Sequence, residues 1–178
     1  MMNSKLVLAL IGGGVLLLII LILFIVSSNG GTKTVSLERL GLRLQTLQKI
    51  TTDAQKNIKS SSLRSINSNL KTSLINTNRD IASPLTAAKV DLKKTDKQLV
   101  TEENGEALTA SLENARLNAT FDRTYAKEMA YQLDRTTVLM NSLLKSTKST
   151  SLKTFLGTST KDLSALQKQF AQYNSANS

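Results

Sequence analysis

Residues 36–50 read SLERLGLRLQTLQKI, and the leucines at 37, 40, 44 and 47 decide the fold. Steps of three and four residues put all four on one stripe of an α-helix, whereas on a strand they would scatter over both faces. The stripe continues through Thr51, Ala54 and Ile58.

Outward from this stretch the same steps recur. Leu63, Ile66, Leu70, Leu74 and Ile81 follow the serine run at 60–62, and Leu85, Ala88, Leu92, Thr95 and Leu99 come next. Leu108, Leu112, Ala115, Ala119, Ala126, Met129, Leu133, Met140 and Leu144 make a third series. Leu152, Leu156, Ser159, Leu163, Leu166, Phe170 and Tyr173 make the last. No stretch after residue 35 alternates as a strand would. A stripe of average period 3.5 is the seam of a left-handed helical bundle. The narrowness of the stripe suits long, thin helices, and Ala115, Ala119, Ala126 and Ala130 let a partner helix approach closely.

Punctuation agrees. Between Leu42 and Leu156 Gly105 is the one glycine, and Pro84 is the one proline of the chain. The expected helices are 37–58, 61–82, 84–100, 104–147 and 151–173, within a domain spanning 36–174 and ending in a frayed 175–178. Ser36 caps the first. Ser83 and Pro84 open the third, or Pro84 kinks one helix running from about 60 to 100. Thr101 or Asn104 caps the fourth, with Glu102, Glu103 and Glu106 near its positive end. Lys93, Lys94 and Lys97 fall in the closing turns of the helix before it.

Upstream lies a different kind of segment. Residues 6–26, LVLALIGGGVLLLIILILFIV, hold 17 Leu, Ile, Val or Phe among 21 uncharged residues. As a helix this run spans roughly 31 Å, about the hydrocarbon thickness of a bilayer. It is too long for the h-region of a cleaved secretory signal. The reading is a five-residue tail (1–5), a retained transmembrane signal-anchor (6–26) and a Ser/Gly-rich spacer (27–35). The fold class expected is therefore all-α: one N-terminal transmembrane helix, then an elongated antiparallel bundle of four or five helices with coiled-coil-like seams. Ala9 and Gly13 form a small-xxx-small pair able to pack two anchors together.

The net charge of +10 is unevenly spread. Residues 33–79 carry nine basic and two acidic side chains, residues 80–144 eight and ten, and residues 145–178 five and one. Lys33, Arg39 and Arg43 follow the span closely and are the candidate contacts to anionic head groups, each worth about 1 kcal/mol near such a surface. An anionic envelope polymer is the other partner such charge suits. Nucleic acid is not expected, because no stacking aromatics interleave the basic residues.

Chemistry is poorly provided for. The chain has no histidine and no cysteine, which removes the commonest general base, the commonest metal ligands and thiol nucleophiles together. No glycine-rich nucleotide loop occurs in the soluble part, and no cofactor, metal site or catalytic residue is expected. TEENGE (101–106) lacks the alternate-ligand spacing of a calcium loop and reads as an acidic helix start. Asp122 interrupts the apolar stripe between Ala119 and Ala126, so the register drifts there, turning Phe121 and Tyr125 inward and Asp122 outward. Asn118-Ala119-Thr120 matches an N-glycosylation acceptor but falls within the expected helix 104–147.

These features point to a non-enzymatic, single-pass protein of the plasma membrane, its helical domain scaffolding or tethering at a bacterial-type cell envelope. Its partners would be the bilayer, anionic head groups or polymer, and a second copy or another helical protein. The alternative is an extracytoplasmic ligand-binding or sensory module working with a separate signalling partner. Lys33, Arg39, Arg43 and Lys49 after the span favour a cytoplasmic domain by the positive-inside rule. The position of the span so near the N-terminus favours a signal-anchor and an extracytoplasmic domain, which is the orientation expected here.

Overall fold

The computed structural model of the protein describes residues 31–177, with side chains from Thr34 onward. The apolar run 6–26, with Ala9 and Gly13, lies outside the described residues, as do residues 27–30, Ser178 and the side chain of Lys33.

The described residues are mainly helical, with no strand among them. We label its helices α1 (Gly31–Ala54), α2 (Ser61–Asp80), α3 (Ala82–Ala87), α4 (Lys97–Glu103), α5 (Glu106–Leu117), α6 (Phe121–Ser146) and α7 (Thr150–Ala176), with a 3-10 turn at Leu92–Lys94. No helix among the described residues is long and apolar enough to cross a membrane.

The four long helices make the bundle. The Asn67 and Asn78 amides of α2 donate to the carbonyls of Thr51 and Leu44, so α2 runs antiparallel to α1. Arg43 of α1 reaches the Arg135 carbonyl of α6, and α7 packs against both α6 and α2. The seam leucines of α1 are buried, Leu40 and Leu44 completely. They join Leu63, Leu70, Leu74, Met129, Leu133, Met140, Leu156 and Leu163 in one core.

Topology explains the remaining helices. α2 ends just past Asn78, which is level with Leu44 of α1, whereas α6 begins at the opposite end, with Asp122 at Lys59, so residues 82–120 travel back along the bundle. α4 lies beside Arg39–Thr46, and α5 carries Leu112 to Ile50 and Ala54. Two close approaches seat this crossover. A Cβ on Gly41 would stand 2.8 Å from Leu92, and one on Gly105 would stand 2.5 Å from the Thr46 methyl. Gly105 also has φ +74°, a conformation open to glycine at little cost.

The helix boundaries differ from expectation in four places, each for a physical reason. α1 begins at Gly31, so Ser36 lies inside it and residues 31–35 are helix, not spacer. α2 stops at Asp80 because Pro84 has no amide to donate to the Asp80 carbonyl, and Pro84 instead sits in the first turn of the short α3. Pro84 thus separates two helices. The expected helix 84–100 breaks at Lys89 (φ +56°), where the Val90 amide bonds back to the Leu85 carbonyl. The expected helix 104–147 breaks at Ala119 (φ +57°), where the Thr120 amide bonds back to the Ala115 carbonyl. Both are Schellman-type endings with a left-handed residue, a place where glycine is usual. Here lysine and alanine occupy it, so no glycine marked either break.

A left-handed alanine is strained by about 1 kcal/mol relative to glycine. Ala119→Gly is therefore expected to stabilise the bundle by up to about 1 kcal/mol, read as a higher urea midpoint at unchanged slope. A lower midpoint would mean that residue 119 is not left-handed in solution.

Candidate functional site

Arg39 and Arg43 stand one turn apart on α1 and both reach α4. The Arg43 Nε and Nη2 donate to the two Glu103 carboxylate oxygens at 2.8 and 2.7 Å. Its Nη1 donates to the Arg135 carbonyl at 3.4 Å. Arg39 donates to Glu103 at 2.9 Å and to Glu102 at 2.7 Å. Thr46 closes the cluster by donating to the Glu103 carbonyl at 2.6 Å.

Burial separates the members. The Arg43 and Glu103 side chains are 8% and 7% exposed, against 32% for Arg39 and 40% for Glu102. Burial works against the Arg39 charge, yet its hydrogen bonds to Glu102 and Glu103 outweigh this and hold its pKa above the ordinary value. The Arg39 hydrogen bond in turn holds the Glu102 carboxyl below the usual carboxylate range.

These placements revise the site expected from the sequence. The Arg43 guanidinium is buried and committed to Glu103, not turned to head groups, and the Arg39 guanidinium is engaged by both glutamates. Nor is TEENGE one acidic helix start. Glu102 and Glu103 close α4, and Glu106 alone falls in a first helical turn, that of α5, where the Asn104 side chain accepts its amide at 2.9 Å. Among the described residues no three acidic side chains gather where a metal ion could be held.

A second polar constellation crosses the core. Tyr125 of α6 is fully buried, and its hydroxyl donates to the Asn67 Oδ1 of α2. The Asn67 amide donates to the Thr51 carbonyl at 3.1 Å and to Gln55 Oε1 at 2.5 Å. One layer thus ties α1, α2 and α6 at a fixed register. Burial pushes the Tyr125 phenol far above its ordinary pKa, so it remains a hydrogen-bond donor. Tyr125→Phe strands the Asn67 oxygen in the core and is expected to cost about 1–3 kcal/mol. Urea unfolding measures it, and a loss no larger than that of an exposed substitution would show the layer to be hydrated in solution.

Asp122 also acquires a role. Its carboxylate accepts the backbone amides of Lys59 (3.0 Å) and Ser60 (2.7 Å), joining the start of α6 to the start of α2. Phe121 and Tyr125 are turned inward beside it. The Asn118-Ala119-Thr120 sequence lies in the exposed turn between α5 and α6, not inside a helix.

Arg43 was discoverable as a buried residue from its place three residues after Leu40 and beside Leu44. Its partner lies 60 residues away, and no local pattern points to it. An open cleft of about 270 Å³ lies between α1 and α5, lined by Ile50, Ala54, Leu112 and Phe121 with Asp53, Lys56 and Glu113 at its rim. It is small beside the ~300–1,000 Å³ of typical small-molecule sites. Comparison with protein-family models, curated proteins and solved structures finds no match for this chain.

Proposed function

We propose that this chain is a single-pass membrane protein whose helical bundle is a non-enzymatic scaffold or tether at a bacterial-type cell envelope. The observation that carries the reading is the uncharged 21-residue run at 6–26, joined to the bundle through fewer than ten residues. That length matches a bilayer crossing. The bundle supports it indirectly: its most conspicuous charged and polar groups are spent on each other. Arg43 with Glu103, Tyr125 with Asn67, and Asp122 with the start of α2 all secure helix against helix. Such groups rigidify a body that presents faces. The domain is assigned to the extracytoplasmic side of the plasma membrane, with bilayer lipid and helical proteins, including a second copy, as its partners.

The test uses the absence of native cysteine. Ser65→Cys, exposed on α2, is treated in intact cells with a membrane-impermeant thiol reagent. Labelling before lysis is the expected result. Labelling only after lysis, with an outer control protein labelling normally, overturns the orientation. Release of the chain from membranes by alkaline carbonate overturns the anchor.

A further inference from the structure

The bundle has two unlike ends. At the end where Ser36 continues into residues 1–35, two connections meet. Leu92 of the 3-10 turn lies against Gly41, and Glu102 of α4 reaches Arg39, so residues 89–97 sit near Arg39–Gly41 of α1. Arg135 stands opposite Arg43 and α6 runs antiparallel to α1, so the turn between α6 and α7 falls at this end too. These connections carry Lys89, Lys93, Lys94, Lys97, Lys145, Lys148 and Lys153, all exposed. Lys94 approaches Asp91 at 3.9 Å, and the other six make no ion pair among the described residues.

Two carboxylates, Asp91 and Asp96, lie among these seven lysines and leave the two connections net positive. Asp91 and Asp96 accept the amides of Lys93 and Gln98, each capping a helical turn, and Arg79 and Asp80 pair with each other. At the opposite end, Arg116 is paired with Glu113, and the Asp122 carboxylate accepts the backbone amide of Lys59. The composition also matters. All seven are lysines, strongly hydrated point charges on flexible stems, suited to a diffuse anionic layer. The forked geometry of arginine, which favours fixed partners, is used at this end only within the protein.

We propose that this lysine-bearing end is a lipid-facing surface, and that its partner is the anionic head-group layer of the bilayer holding residues 6–26. The proposal rests on the anchoring proposed above. It assigns to seven lysines the contact expected earlier of Lys33, Arg39 and Arg43. The lysines are spread over two connections at one end, residues 89–97 and the turn between α6 and α7 with its flanks, and follow no single groove. That arrangement meets a surface better than it meets a linear polymer.

The full chain is reconstituted into vesicles of phosphatidylcholine, with or without phosphatidylglycerol, that contain a lipid with a head-group quencher. A fluorophore is placed at Ser151→Cys, among the lysines, or at Ser65→Cys, near the other end. Phosphatidylglycerol is expected to raise quenching at position 151 by about twofold or more at low salt, with the rise lost at high salt. Position 65 is expected not to respond. Lys→Gln at 93, 94, 97 and 148 removes the response, and Lys→Gln at 56, 59, 127 and 168 leaves it. Equal quenching at position 151 in both vesicles, or a response surviving the first set of changes, overturns the surface. Flotation after a carbonate wash separates the two ideas. A chain that floats without the charge response loses only this proposal, and a chain that does not float loses the anchor and the surface together.

Discussion

Glu103→Ala is expected to lower the stability of the bundle by about 3–5 kcal/mol, because it leaves the Arg43 guanidinium buried with no counter-charge. Three of the five donor contacts made by the two arginines converge on this one carboxylate, and the Arg135 carbonyl at 3.4 Å cannot replace it. For a chain of this size the loss lowers the melting temperature on the order of 10 °C. Glu102→Ala removes an exposed partner of Arg39 and produces a far smaller change, since surface pairs contribute little. Location matters as much as size. Glu103 fastens α4 to α1, so amide hydrogen exchange in Lys97–Glu103 should accelerate more than exchange in the middle of α6 or α7. The paired replacement Arg43→Met with Glu103→Leu should regain most of the stability, because it removes the stranded charge and fills its place with apolar volume. Equal losses from Glu103→Ala and Glu102→Ala would show that the pair is hydrated in solution.

The same cluster marks where a sequence stops being legible. Steps of three and four depend only on the pitch of the helix, so Leu37, Leu40, Leu44 and Leu47 announced both a helix and the face of α1 that is buried. Register between helices is another matter. On α2 the apolar residue that follows Leu63 at helical spacing is Ile66, yet Asn67 is the fully buried residue and Ile66 stands at the flank. Steps of four, three and four from Leu63 pass through Asn67, Leu70 and Leu74, but a polar residue on that path shows itself only once Tyr125 and Gln55 are brought to it. Lys89 and Ala119 hid two helix ends for a related reason. The left-handed turn is imposed by packing on either side, against the preference of the residue that makes it. The crossover follows from topology: α2 and α6 run parallel, so the chain between them must return, and no residue within 82–120 states this by itself.

Phe170→Ala should match the loss of Glu103, at about 3–5 kcal/mol, by a different mechanism. The Phe170 ring is fully buried on α7 and meets Tyr125 edge-on, with centroids 5.9 Å apart at 77°. Tyr125 stacks in turn on Phe121 at 5.8 Å. The chain has no tryptophan and seven Phe or Tyr in all, so this group of three is a large part of its aromatic packing. Truncation at 170 opens a void beside Tyr125 that the backbone of two long helices cannot close. The void also frees the tyrosine ring whose hydroxyl is bonded to Asn67, so the apolar and polar layers should fail together. A double-mutant cycle with Tyr125→Phe tests this. Coupling of more than about 0.5 kcal/mol in urea unfolding is the expected result, as it is for side chains in contact. Additive losses would mean that Phe170 fills space without positioning Tyr125, and that the register of α1, α2 and α6 is held by Asn67 with no help from α7.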